Sequence, residues 1–185
     1  MIKIEKDLTT IPTSLKPPTA DYFIPPNRPA RQSRTTHQRR QELIDKGAYI
    51  NEGTYNSRYK YDDIKEALDR LYHKKCAFCE QRSEKPHVEH FRPKVVYHWL
   101  AYSWDNLLLA CASCNSSKGQ RFHIAGPRYK FVFDVNNTYK TIHASCAGLD
   151  VIERPLLVNP EIEDLTTELI FDQNGGIRSD CMSSN

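Results

Sequence analysis

No run in this sequence approaches the roughly 20 apolar residues needed to span a bilayer, and mean hydropathy is −0.66 with 39% hydrophobic residues. The opening MIKIEKDLTT lacks the apolar core of a signal peptide. No internal repeat is visible. These absences predict a cytoplasmic chain, and 185 residues fit one domain with an appended arm. Cysteine is scarce, at six residues, and in a reducing compartment cysteines more often bind metal than pair with each other. Acids are missing between Asp21 and Glu42, where Arg28, Arg31, Arg34, Arg39 and Arg40 fall. Such a row is either a solvated face or a contact for phosphates or a partner.

Charge is unevenly spread. The net +3 divides into −6 over residues 150–185 and +9 over the first 149, which puts the basic surplus beside the motifs, as a phosphate-binding body requires. Six of the eleven prolines lie within residues 1–30. Proline fixes φ and donates no backbone hydrogen bond, so this segment is expected to be an extended arm. It reads either as a tail or strap, or as a strap that docks on a partner through Tyr22 and Phe23.

Further on, SRTTHQRRQELIDKG predicts a helix with Leu43 and Ile44 on its apolar face and Gly47 as its stop. DDIKEALDRLYHKK is a clearer one: Asp62 or Asp63 can cap it, and Ile64, Leu68, Leu71 and Tyr72 recur at helical spacing. VEHFRPK reads as a strand or strand-like loop ended by Pro93, KVVYHWLAYSW as an aromatic cover, NLLLAC as a strand, and CASCNSSKGQ as a turn opening a short helix near Ser113. FVFDV looks like a strand and QNGG carries turn chemistry.

Two motifs carry chemistry. Cys76-x-x-Cys79 and Cys111-x-x-Cys114, with 31 residues between the pairs, form two knuckles that supply the four thiolates of a tetrahedral zinc site. Two disulfides, or four unrelated buried cysteines, are the alternative. Four thiolates close the coordination sphere, so this zinc is expected to be structural. Cys146 and Cys181 stand alone. The second motif is Glu89-His90 after the first knuckle, with Asn106 and Asn115 flanking the second and Lys118-Gly119 behind.

VEHFRPK…WDNLLLACASCNSSKG resembles the HNH nucleases of the ββα-metal type, in the form where CxxC pairs bracket the motif. With CAFCEQ and PLLVNPEIEDLTTELIFDQNGG the pattern further resembles the PtuB nuclease subunits of Septu anti-phage systems, including the retron-associated ones. The resemblance implies an α+β fold built on a ββα-metal finger. Residues 1–30 would form the Pro-rich arm, 31–75 a helical region, 76–125 the zinc-stabilised nuclease core and 126–185 a mixed extension. It also implies that relatives continue beyond residue 185.

Phosphodiester hydrolysis needs an activated water, an in-line geometry and a cation near the leaving oxygen. His90 is the natural general base. By resemblance, Glu89 and Asn115 are ligands of a catalytic Mg²⁺ or Mn²⁺, and Asn106 braces the loop carrying the base. Asn115 alone would read as a helix cap. Lys118 and Arg92 are the candidates for substrate phosphate, and His87 a polar neighbour with a lesser claim. The implied partners are nucleic acid, DNA ahead of structured RNA, and an ABC-type ATPase of the PtuA kind. A non-cleaving zinc-stabilised binding or adaptor module, docking through the arm and the acidic tail, is the alternative.

Overall fold

The structure is a computed structural model that describes residues 3–16, 35–131, 146–164, 169–171 and 177–179. Helices and two small two-stranded sheets make up an α+β arrangement. The first helix, α1 (Thr36–Lys46), opens on a capping box. Gln38 N donates to Thr35 Oγ1 at 3.2 Å and Thr35 N donates to Gln38 Oε1 at 2.8 Å. Gly47 ends it at φ 64°, a conformation that costs glycine little. Leu43 and Ile44 are buried as expected.

A short helix, α2 (Gly53–Asn56), and a 3-10 turn (Arg58–Lys60) lead into α3 (Asp62–Leu71). Ile64, Leu68 and Tyr72 enter the core. Neither aspartate caps α3: Tyr61 occupies that position without a side-chain bond, and Asp62 and Asp63 sit in the first turn. Asp63 instead accepts from Ser14 N and Ser14 Oγ, both at 2.8 Å.

That contact revises the expected arm. Residues 3–16 pack on the domain. Leu15 is buried, Ile4 N donates to Pro160 O at 2.7 Å, and Lys6 Nζ reaches Leu107 O at 2.6 Å and Glu161 at 2.6 Å. Tyr22, Phe23 and most of the prolines lie outside the described residues, as do Arg28, Arg31 and Arg34. The basic row is revised in the same way where it is described. Arg39 is buried against Glu42 and the Tyr55 ring, and Arg40 is buried with Tyr102 O as acceptor, so neither guanidinium is open to a ligand.

The central unit is β1 (His87–His90) paired antiparallel with β2 (Leu107–Ala110), followed by α4 (Ala112–Lys118). The register sets Glu89 opposite Leu108 and His90 opposite Leu107. All four residues of β2 are buried, which accounts for a continuous apolar run where an exposed face would alternate. Between the strands runs the aromatic cover, including a 3-10 turn at His98–Leu100. Its Tyr97, Trp99, Tyr102 and Trp104 join Phe91, Leu100 and Phe122 in one core.

Helix α5 (Cys146–Glu153) closes against the segment after α4, where Gly126 N donates to Glu153 O at 2.7 Å. A Cβ at Gly126 would lie 2.1 Å from Ile152 O, so this approach requires glycine. A second pair, β3 (Leu169–Phe171) with β4 (Ile177–Ser179), flanks the QNGG segment, which itself lies outside the described residues, as does FVFDV beyond Phe131. Among the described residues no helix is long and apolar enough to cross a membrane.

Candidate functional site

The two knuckles meet. The Sγ atoms of Cys76, Cys79, Cys111 and Cys114 all lie within 4.8 Å of one another, and none is in a disulfide. Cys79 and Cys111 stand 3.9 Å apart, close to the roughly 3.8 Å edge of a tetrahedron with 2.3 Å zinc–sulfur bonds. Local backbone supports each corner. Glu80 takes a positive φ of 57° and its N–H donates to Cys76 O at 2.9 Å, which turns the first knuckle back on itself. The Cys114 N–H donates to Cys111 Sγ at 3.4 Å and holds that thiol down to about 7. Ala77 N–H, inside the first knuckle, donates to Leu109 O at 2.7 Å and joins it to β2. This donor set fits a zinc ion.

The consequence for the second motif is spatial. β2 runs from the paired strand into Cys111, and α4 then carries Asn115 back past β1. Glu89, His90 and Asn115 line one pocket of about 280 Å³. Adjacent residues of a flat strand would face opposite ways, but His90 is the last residue of β1, where the chain bends away. Asn115 is half-buried, and its side-chain amide makes no hydrogen bond to any described residue.

His90 is held in one orientation. Its Nε2 lies 2.9 Å from Ala101 O, and a carbonyl only accepts, so Nε2 carries the hydrogen and Nδ1 keeps a lone pair. The Tyr59 ring packs edge-on against the imidazole with centroids 4.4 Å apart. Burial pushes the imidazole down to about 3, aided by Lys94, Lys118 and Lys60, so it is neutral at cellular pH. Burial raises the Glu89 carboxyl, and the Lys118 ammonium at 2.7 Å opposes that rise.

Asn106 is fully buried behind the pocket. Its Oδ1 accepts from Arg92 N at 2.8 Å, and its Nδ2 donates to Arg92 O at 3.1 Å and Leu100 O at 3.2 Å. It therefore ties the turn after His90 to the end of the aromatic cover.

Two expected phosphate contacts lie elsewhere. Arg92 is fully buried: its Nε contacts Glu153 at 3.0 Å and a terminal nitrogen contacts Asp150 at 2.5 Å. A guanidinium held by two carboxylates inside the fold has no face for substrate. Lys118 is mostly covered, donating to Glu89 Oε1 and to His90 O at 2.7 Å each. It stands behind the carboxylate and does not line the pocket. His87 does line the pocket, whereas His98 is buried against Trp99. A larger cavity of about 460 Å³ has a mostly apolar surface, with Phe78, Phe122, Leu156 and Leu157 beside Cys114, Lys118, Arg121 and His123.

Residues 76–121 match the HNH endonuclease family model. The HNH segment thus includes both knuckles, β1, β2 and α4. The chain is also similar to two proteins named Septu protein PtuB. That of Bacillus mycoides (strain KBAB4) is 30% identical over 133 residues, covering 63% of this chain and 41% of the relative. That of Bacillus thuringiensis is 36% identical over 98 residues, covering 51% of this chain and 35% of the relative. The chain spans less than half the length of either relative. No solved structure matches it.

Part of the pocket comes from outside the HNH segment. Tyr59, Lys60 and Lys65 line it from the turn before α3 and from α3 itself, while Lys94, inside the segment, lines it from the loop after β1. These residues were not singled out from the sequence. Lys94 follows the Pro93 that marks the end of the VEHFRPK motif, but three lysines separated by up to 34 positions give no spacing signal.

Proposed function

We propose that the chain is a metal-dependent HNH endonuclease that hydrolyses phosphodiester bonds of nucleic acid, DNA first, as the effector of an anti-phage Septu-type complex with an ABC-type ATPase. The convergence of Glu89, His90 and Asn115 on one pocket, with an imidazole Nδ1 left as acceptor, carries the reading. The assignment to an anti-phage complex rests on similarity to the PtuB proteins.

In this reading His90 Nδ1 takes a proton from the attacking water, while its Nε2 stays bonded to Ala101 O and fixes the ring. Glu89 and Asn115 offer one carboxylate and one amide oxygen, a donor set suited to magnesium or manganese with waters completing the shell. The bound cation supplies charge neutralisation at the leaving oxygen. Asn106 acts as a positioning residue that holds the turn behind the base. The sulfur cluster, with zinc as the expected ion, keeps α4 in register with β1 and takes no part in bond breaking.

The test compares wild type with His90→Ala at equal zinc content, on DNA and on tRNA. Each is assayed with Mg²⁺, Mn²⁺ or chelator, with and without the ATPase. Cutting that needs the divalent ion and disappears in the variant is expected. Equal cutting by the two proteins removes the enzyme reading.

A further inference from the structure

The pocket holds more positive charge than its chemistry of bond cleavage uses. Lys60, Lys65 and Lys94 line the same pocket as His90, and Glu89 is the one acid there. That acid is already paired from behind by Lys118. Among the described residues, neither Lys60 nor Lys94 has a carboxylate within ion-pair distance. Lys65 approaches only Asp62, at 3.5 Å on an exposed surface.

Lys94 is the most constrained of the three. Its ammonium donates to Tyr59 Oη at 2.5 Å and to Asn56 Oδ1 at 3.0 Å, and it sits over the Tyr49 and Tyr59 rings at 4.5 and 4.4 Å. All these partners are neutral. They orient a half-buried cation without cancelling its charge. Burial and the neighbouring Lys60 bring this lysine down to about 8, with Glu89 opposing the fall.

We infer that Lys94, Lys60 and Lys65 form the phosphate clamp of the site. Lys94 holds the reacting phosphate beside His90, and Lys60 and Lys65 hold neighbouring phosphates of the same nucleic-acid strand. This inference rests on the nuclease reading for the word reacting, but not for the binding itself. It moves substrate binding from Arg92 and Lys118, which do not line the pocket, to three lysines that do, and two of these lie before the HNH segment. Contacts of this type are indifferent to base sequence and depend steeply on salt.

The test uses the full chain in a His90→Ala background, so that a bound probe stays intact. Binding of a fluorescein-labelled DNA strand, the matching duplex and a structured RNA is followed by anisotropy between about 50 and 200 mM salt. The set comprises the parent, Lys94→Met, Lys60→Met/Lys65→Met, and Lys46→Met on the exposed end of α1 as control. Matched zinc content and thermal midpoints establish that each variant is folded, and the exposed Lys60 and Lys65 keep the test valid should Lys94→Met unfold.

Each lost contact is expected to weaken binding about tenfold at the low-salt end and to lower the log–log salt slope by about 0.7–0.9, with the control unchanged. Unchanged affinity and slope in the double variant overturn the clamp, as does a parent that binds none of the three probes. Cleavage by the His90 form of each variant separates the two readings. If the lysine variants bind and cut like wild type, the clamp falls and the nuclease stands. If binding depends on the lysines but no condition yields cutting, the nuclease falls and the clamp stands.

Discussion

Asn106 holds the backbone of Arg92 from both sides, accepting from its N–H at 2.8 Å and donating to its carbonyl at 3.1 Å. One side-chain amide thereby replaces the strand partner that the chain loses as it turns away after His90. Alanine at this position would leave the buried Arg92 N–H and carbonyl without their partner, whereas Leu100 O keeps the Ser103 N–H. Each such group costs about 1–3 kcal/mol, and partial relaxation should bring the total for Asn106→Ala to about 2–4 kcal/mol. Urea denaturation reads the stability loss, and cleavage at a temperature where the variant is folded should fall as well, because the turn also positions His90. A variant of wild-type stability would show that the amide is not a brace.

The Arg92 side chain makes a different point. It is fully buried between Asp150 and Glu153, more than 50 positions away in sequence. Arg92→Met strands two carboxylates in the interior, a type of change that costs about 3–5 kcal/mol. Nucleic-acid affinity and its salt slope, measured on the folded fraction, should stay at the wild-type value. Loss of affinity with unchanged stability would restore Arg92 as a phosphate ligand.

These pairs show how far the sequence could be read. The thiolate spacing, the Gly47 stop of α1, the apolar run of β2 and the resemblance around Glu89 and His90 are local patterns, and local patterns determine local structure. Charge is another matter. The surplus of basic residues ahead of residue 150 looked like a nucleic-acid surface, yet Lys6 pairs with Glu161 and Arg92 with Asp150 and Glu153, so acids of the C-terminal part neutralise part of it internally. Arg39 and Arg40 are spent on Tyr55, Glu42 and a backbone carbonyl. The lysines left facing the pocket come from three separate segments, and only the fold brings them together.

The buried imidazole has a pH signature. A base held down to about 3 stays unprotonated as pH falls through 6.5, the ordinary value for histidine, so cleavage should show no loss between pH 7.5 and 6 from this group. Stability carries the opposite face of the same shift. Below about pH 6.5 the unfolded chain binds a proton at His90 that the folded chain refuses, so stability should fall as pH falls, by up to about 1.4 kcal/mol per unit. Comparing His90→Gln with wild type isolates that slope. Identical stability profiles from pH 7 to 5 would mean that the imidazole is solvated.

Lys118 lies on the carboxylate that is proposed to bind the divalent ion, with its ammonium 2.7 Å from Glu89 Oε1. An internal cation competes with an external one. Lys118→Met keeps the length of the stem and removes the charge, and Mn²⁺ affinity followed by electron paramagnetic resonance should rise about tenfold, equivalent to about 1.4 kcal/mol. Weaker Mn²⁺ binding would instead mean that Lys118 is needed to keep Glu89 ionised and in place.

The sulfur cluster sets the last expectation, because Cys111 caps α4, which delivers Asn115 to the pocket. Breaking one corner should therefore act at a distance on the site. Bound zinc can contribute on the order of 10 kcal/mol to folding, a share that a hairpin of two four-residue strands cannot replace. Cys114→Ser should lower the metal content from one zinc per chain, abolish Mn²⁺ binding at the pocket and lose the near-ultraviolet signal of the aromatic cover. Treating wild type with a strong chelator should reproduce all three changes, and zinc added back should reverse them. Retention of Mn²⁺ binding in zinc-free protein would show that β1 and α4 hold their places without the cluster.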